Sequence, residues 1–319
     1  MSGPKWGVVA TIKAPTEDVL RFVAYHLDLG ADDVTVFLDD CNEDTAKALS
    51  QNPKAHAVLT DEEHWQSTIG RRPKKHQVRQ VRNASRYYRR AKGLDWVVHI
   101  DVDEFLCPDP DRSVADILAA CPTDVPVLRV LPAEALCTDG LSEIDPDVTY
   151  CKSRLPGGTQ GKAIEHKLYP TYGGILKSGF VSHVEGKIFV RTGFHDVKFG
   201  IHRAFENKDV VLNSQDADGI ELCHKHIESW EKWLAIMDFR LSRGSYREEL
   251  EQNIDPLSGR VQRHALFKSL TDGGTESLRA FFEESCLATP ELRRRLDALG
   301  YLRRYKLDLA QKRAKHFPR

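Results

Sequence analysis

Short apolar runs alternate with helix-patterned stretches over residues 6–131, and this alternation constrains the fold more than any other feature. Trp6–Ile12 is a continuous apolar run with paired valines, Val8 and Val9, and reads as a first strand. Thr16 is placed to cap a helix in which Val19, Leu20, Val23, Ala24 and Leu27 recur at helical spacing. Gly30 stands where such a helix ends. Further strands are expected at Val34–Leu38, Ala55–Thr60, Trp96–Ile100 and Val125–Leu131, with helices near Glu43–Ser50, Pro73–Lys92 and Val114–Ala120. Parallel strands need crossover connections, so the alternation favours a Rossmann-like, mostly parallel α/β sheet flanked by helices. Such sheets bind ligands beyond the carboxyl ends of their strands. Thr11–Lys13, Asp39-Asp40 and Asp101–Glu104 are therefore expected on one rim.

The pattern changes from Pro132 to Ser214. Helical periodicity fades, and Gly, His, Lys and Tyr become frequent around short strand-like segments, Lys187–Arg191 and Val197–Ile201. After Glu221 the chain turns helical, first over Ile227–Ser242 and then in Arg- and Leu-rich stretches. The expected division is an α/β half over 1–131, a β-rich half of the same domain over 132–226, and a helical region over 227–319.

A formal net charge of −1 gives the whole molecule no electrostatic reason to seek nucleic acid or an anionic membrane. Seven scattered cysteines without a close pair fit reduced thiols better than a disulfide framework. No stretch approaches the roughly 20 apolar residues of a membrane span, and no apolar leader precedes the first strand. A cytoplasmic protein is expected, with peripheral membrane contact through the basic C-terminal helices left open.

The segment from Asp95 to Leu106 is the richest in chemistry. An apolar strand delivers Asp101 and Asp103, one residue apart, followed by Glu104, Phe105 and Leu106. Carboxylates are hard oxygen donors suited to Mn²⁺ or Mg²⁺, ions that also take substrate phosphate oxygens. Three carboxylates this close repel one another, and a bound cation would keep them ionised. Taken alone, an Asp-x-Asp tripeptide is better explained by an acidic turn or a helix cap; the strand before it, Phe105-Leu106 after it and its place on the rim argue for a site.

Asp101-Val102-Asp103-Glu104-Phe105-Leu106, with Asp95-Trp96 before it, resembles the family 2-type glycosyltransferases of the GT-A fold, in their bacterial branch with a DxDEF signature. The run from Ala24-Tyr25-His26 through Gly30 to Val34 is similar to an element of the same branch, as is the acidic loop Asp39–Thr45. Gly186-Lys187 with Arg191, Gly200-Ile201-His202, and His224 with Ser229, Trp230, Arg243 and Gly244 resemble later family segments. Together these cover roughly residues 6–245.

The resemblance implies a GT-A-type fold with a β-rich acceptor-side half and C-terminal helices. It also implies a nucleotide-diphospho-sugar donor (a UDP-sugar first), a divalent metal, and inversion assisted by a carboxylate base. Carried over by position, Asp39 faces the nucleobase or ribose, Asp101 the ribose or metal, and Asp103 is the principal metal ligand. Thr11 and Lys13 line the nucleotide pocket, although Lys13-Ala14-Pro15-Thr16 departs from the family's charged loop. Leu131–Ala135 departs as well, so the acceptor, a saccharide or a lipid-linked sugar, transfers least.

Other residues complete the candidate set. Imidazole also ligates Mn²⁺, and His224 is the first choice with His202 second, although either can equally serve as a hydrogen-bonding histidine. The resemblance also implies that Gln77, Gln80 or Asn83 on the helix after Pro73 approaches the nucleotide. The Arg79, Arg82, Arg86 and Arg90 stripe reads as a solvated face. Lys187 and Arg191 are candidates for the diphosphate or an anionic acceptor. Glu134, Asp139 and Asp196 are the candidate bases, not separable by sequence. Two rival classes share the carboxylates: a nucleotidyl- or phosphoryl-transfer enzyme, and a non-catalytic nucleotide-sugar-binding protein. The first should carry a Gly-rich phosphate loop after the first strand, which Lys13–Thr16 is not.

Overall fold

A computed structural model describes residues 3–194, 197–211, 213–242 and 263–318. In chain order the first elements are β1 (Trp6–Ile12), α1 (Thr16–Asp28), β2 (Asp33–Leu38), α2 (Glu43–Leu49), β3 (Ala55–Leu59) and α3 (Glu62–Ile69). Next come α4 (His76–Arg90), β4 (Trp96–His99), β5 (Glu104–Pro108), α5 (Val114–Ala120), β6 (Val127–Ala135), β7 (Thr149–Ser153) and α6 (Gly158–Leu168). Then follow β8 (Lys187–Arg191), β9 (Val197–Phe199), β10 (Ala204–Glu206), β11 (Asp209–Val210) and β12 (Ser214–His224). The last are α7 (Trp230–Ala235), α8 (Met237–Ser242), α9 (Arg263–Asp272), α10 (Gly274–Ser285), α11 (Pro290–Ala298), β13 (Leu302–Tyr305) and α12 (Leu309–His316).

The chain forms two compact units. Residues 1–132, 185–223 and 307–319 make the first; 133–184 and 224–306 make the second.

In the first unit the strands run in the order β6-β8-β4-β1-β2-β3. The β4, β1, β2 and β3 half is parallel, whereas β8 pairs antiparallel with both β4 and β6. The sheet is thus mixed, parallel only where strand and helix alternate. β1 explains why its sequence is apolar throughout. Trp6, Val8, Ala10 and Ile12 enter one core with Val19, Leu20 and Val23 of α1. Val9 enters another on the opposite face, with Ala84 and Tyr88 of α4. Both faces are covered, so alternation is lost.

Several local expectations change. Thr16 is the first residue of α1 rather than its cap; Pro15 holds the N-cap position, and the Thr16 hydroxyl meets that of Thr45 at 2.7 Å. Pro73 precedes α4 by three residues, because the helix opens only at His76. The stretch 133–184 holds β7 and the helix α6, whereas the strands cluster in 185–223. α6 buries only Gly161, Glu165 and Leu168, so it has little apolar periodicity to read. The segment Ile227–Ser242 is two short helices broken at Ile236.

The last element returns to the first unit. α12 packs on α1, Phe317 is buried in that core, and Arg313 and Lys315 pair with Glu17 and Asp28 at 3.1 and 2.5 Å. In the second unit β7 pairs antiparallel with β13 and with the Ala133–Ala135 end of β6. Its core gathers Trp233, Phe267, Phe281, Phe282 and Leu296. All seven cysteines are free thiols, six of them buried. Among the described residues no helix is long and apolar enough to cross a membrane.

Gly186 turns the chain into β8 at φ 68°, and a Cβ there would lie 2.1 Å from the Val130 carbonyl oxygen. Gly186→Ala is expected to cost about 2–4 kcal/mol through left-handed strain and backbone overlap. An unchanged urea midpoint would contradict this reading.

Candidate functional site

The parallel register of β1, β2 and β4 brings Thr11, Asp39 and Asp101 to neighbouring strand ends in the first unit. One face of α4 meets them. His76, Arg79, Gln80 and Asn83 fall at i, i+3, i+4 and i+7, so their side chains project together. The Asn83 amide donates to the Thr11 hydroxyl at 3.1 Å, and its carbonyl oxygen faces His64 Nε2 at 3.1 Å. Gln80 donates its amide to Asp101. Gln77 is exposed on α4, whereas Gln80 is buried on this polar face.

Asp39 is buried beneath two guanidinium groups and an imidazole. Arg79 reaches it through Nε at 2.9 Å and Nη2 at 2.6 Å, Arg72 through Nη2 at 3.0 Å, and His76 through Nδ1 at 3.2 Å. Burial alone would raise its pKa, but the His76, Arg79 and Arg72 contacts outweigh that and hold it at about 2. Arg79 therefore leaves the solvated stripe read from the sequence, while Arg82 and Arg90 stay exposed. Lys13, Arg71, Lys74 and Lys75 are exposed as well.

The acidic segment is a tight turn between β4 and β5. The Asp101 N–H donates to Glu104 Oε2 at 2.8 Å, and the Glu104 N–H donates to the Asp101 carbonyl at 3.0 Å. Lys187, at the start of β8, is fully buried, with its ammonium 2.6 Å from Asp101 and 3.3 Å from Glu104. This lysine, a candidate for the diphosphate or an anionic acceptor, is a core residue whose ammonium is engaged by Asp101 and Glu104. It supplies a cation the sequence reading had sought in a metal, and it compensates two of the three carboxylates. Asp103 lies half-buried between them. His202 turns Nδ1 to the Gly186 carbonyl at 2.7 Å, so that nitrogen carries the proton and Nε2 the lone pair. Burial first, then the Lys187 charge, lowers its pKa to about 4.

The second unit holds its own polar cluster. Glu134, a candidate base, is buried and paired with Lys152 at 2.9 Å. It also accepts the Val181 and Ser182 amides at 3.0 and 2.6 Å. Burial would raise its pKa, but the Lys152 and His226 charges and these hydrogen bonds carry it well below the usual carboxylate range. Asp139 is exposed, and Asp196 lies outside the described residues, as do Arg243 and Gly244. His224 is buried beside His183, ring centroids 5.1 Å apart, and His226 follows at 4.7 Å. Half-buried His183 and buried His224 offer ring nitrogens within 4.8 Å of one another, donors that could hold a metal ion. Sequence reasoning passed over His183; only its donor type, in a Gly- and Ser-rich turn, pointed to it.

No family model and no curated protein matches the chain. Among solved structures, the crystal structure of HddC from Yersinia pseudotuberculosis is similar over 73% of this chain and 97% of its own, at 12% identity and a TM-score of 0.37.

Because the folded-state pKa of Asp39 is depressed, its contribution is complete above the unfolded value near pH 4 and is lost as pH falls toward 2. Asp39→Asn should cost about 3 kcal/mol at neutral pH and flatten the loss of stability over that acid window. Urea titrations of both proteins between pH 2 and pH 7 test this, and parallel acid limbs would refute it.

Proposed function

We propose that the chain is a metal-dependent glycosyltransferase that moves a sugar from a nucleotide-diphospho-sugar to an acceptor hydroxyl with inversion. One observation carries the reading: Thr11, Asp39 and Asp101, at the ends of three adjoining parallel strands, all bind one face of α4. Open α/β sheets place their ligands at this edge. The hydroxyl, amide and carboxylate groups gathered there suit a nucleoside, and the exposed guanidinium of Arg72 suits its phosphates.

Asp39 then serves as an anchor. Its oxygens are engaged by Arg72, His76 and Arg79, so a nucleotide meets cations at this point rather than a bare carboxylate. Asp101, held by Gln80 and Lys187, is assigned to the ribose side, and Asp103 to a divalent ion with His202 as imidazole donor in the first unit; His224 is assigned as an imidazole donor in the second. Carboxylates with imidazole fit Mn²⁺ better than Mg²⁺. Bound there, the ion would stabilise charge on the departing nucleoside diphosphate. With Glu134 committed to Lys152 and two amides, Asp139 is the preferred base among the described candidates. The acceptor is taken to be a saccharide or lipid-linked sugar.

Thermal unfolding with UDP-, GDP- and CDP-sugars, each with and without Mn²⁺, tests the proposal. A donor at a hundredfold its Kd stabilises a one-site protein by about 2.7 kcal/mol. That shift is expected with a UDP-sugar and Mn²⁺, and it should vanish in Asp103→Ala. No metal-dependent shift with any donor, or full turnover by Asp103→Ala, would count decisively against it.

A further inference from the structure

We infer that Glu134, through its pairing with Lys152, is a positioning residue for the imidazoles His183 and His224, which take a borderline divalent cation in the second unit. The inference rests on the metal dependence proposed above, in which His224 is a donor. It adds the residues that hold the donors in place.

Glu134 and Lys152 side chains are 1% and 2% exposed. A buried pair of this kind contributes little net stability compared with apolar side chains of the same volume, because both ions lose their hydration. What it does fix is geometry. The Val181 and Ser182 amides on Glu134 clamp the backbone immediately before His183. His226 Nε2 lies 3.6 Å from Glu134 Oε1, which holds the strand end two residues after His224. One carboxylate therefore braces both segments that carry the histidine rings.

Lys152 locks that carboxylate in turn. Its ammonium donates to the Ser285 carbonyl at 2.7 Å and lies 5.2 Å over the Tyr169 ring. Glu134 is thereby tied to the ends of α10 and α6. An ion with bonds of roughly 2.1 Å spaces adjacent nitrogen donors about 3–3.5 Å apart. Ring nitrogens already within 4.8 Å need only a small closing rotation. A carboxylate behind ligating histidines is a recurrent way of fixing ring orientation, and its loss costs about 10–100-fold in metal affinity.

Co²⁺ alone, added to the full chain, is the probe, because its visible absorption reports imidazole ligation. The wild-type protein should bind it, and His183→Ala and His224→Ala should each lose the signal. The double variant Glu134→Gln with Lys152→Met removes both charges and leaves no buried ion unpaired. It is expected to keep a cooperative melt while its Co²⁺ affinity falls about 10–100-fold. Unchanged affinity in the folded double variant would overturn the positioning role and leave the metal reading intact. Absence of Co²⁺ ligation in the wild-type protein would instead remove the metal reading and this inference with it. Should the double variant not fold, Glu134→Gln alone, whose amide oxygen still accepts one backbone N–H, is measured against the same two outcomes.

Discussion

A lysine ammonium sealed inside the first unit organises its acidic turn. Lys187 is withdrawn from water, and a bare cation there would cost several kcal/mol. Asp101 and Glu104 offset that cost only because the antiparallel register of β8 on β4, with Val98 opposite Phe189, carries Lys187 to the level of Ile100. The dependence is mutual. Without the ammonium, Asp101 and Glu104 would repel each other across a single turn; without the carboxylates, β8 could not begin with a lysine. The shape of Asp101–Glu104 is therefore a property of the folded sheet and does not wait for a ligand to form it.

This is also where sequence was least able to speak. The strand before the acidic turn, the strand–helix alternation and the placing of Thr11, Asp39 and Asp101 on one rim were all legible, because apolar runs and helical spacing report burial directly. The partners were not. Arg79 looked like one more member of a basic stripe, yet it turns inward because Asp39 lies beneath it. Gln77 and Gln80 are equivalent in composition, and only the helix phase set by Ala84 and Tyr88 against the sheet decides that Gln80 faces the strand ends. The helix α3 went unread, since Trp65 is its one large buried apolar residue and its start depends on Asp61 capping His64. The strand β5 was hidden by the acidic motif that opens it.

Both units bury a lysine against carboxylate, Lys187 in one and Lys152 in the other, but their settings differ. Lys187 meets two carboxylates of a single turn. Lys152 meets one carboxylate, one carbonyl and an aromatic face, and its partner Glu134 spends its remaining hydrogen-bonding capacity on backbone amides. The first arrangement shapes a turn that carries candidate ligands; the second ties together segments distant in sequence. Glu134 shows why a carboxylate cannot be assigned as a base by position alone. Its hydrogen-bond partners decide, and they are chosen by β7 and the 181–182 turn.

The docking of α12 on α1 has a consequence for how the chain reaches this state. Arg313 pairs with Glu17 across 296 residues of sequence, and Phe317 fills a core built mainly by the first half of the chain. During vectorial synthesis that core must persist with a gap at its α1 face until the final helix emerges. Closing so long a loop adds little to the entropy already spent, because the cost grows only with the logarithm of length. Its effect falls on timing. The parallel strands are made well before α12, and the nascent first unit exposes apolar surface on its α1 face until that helix has emerged.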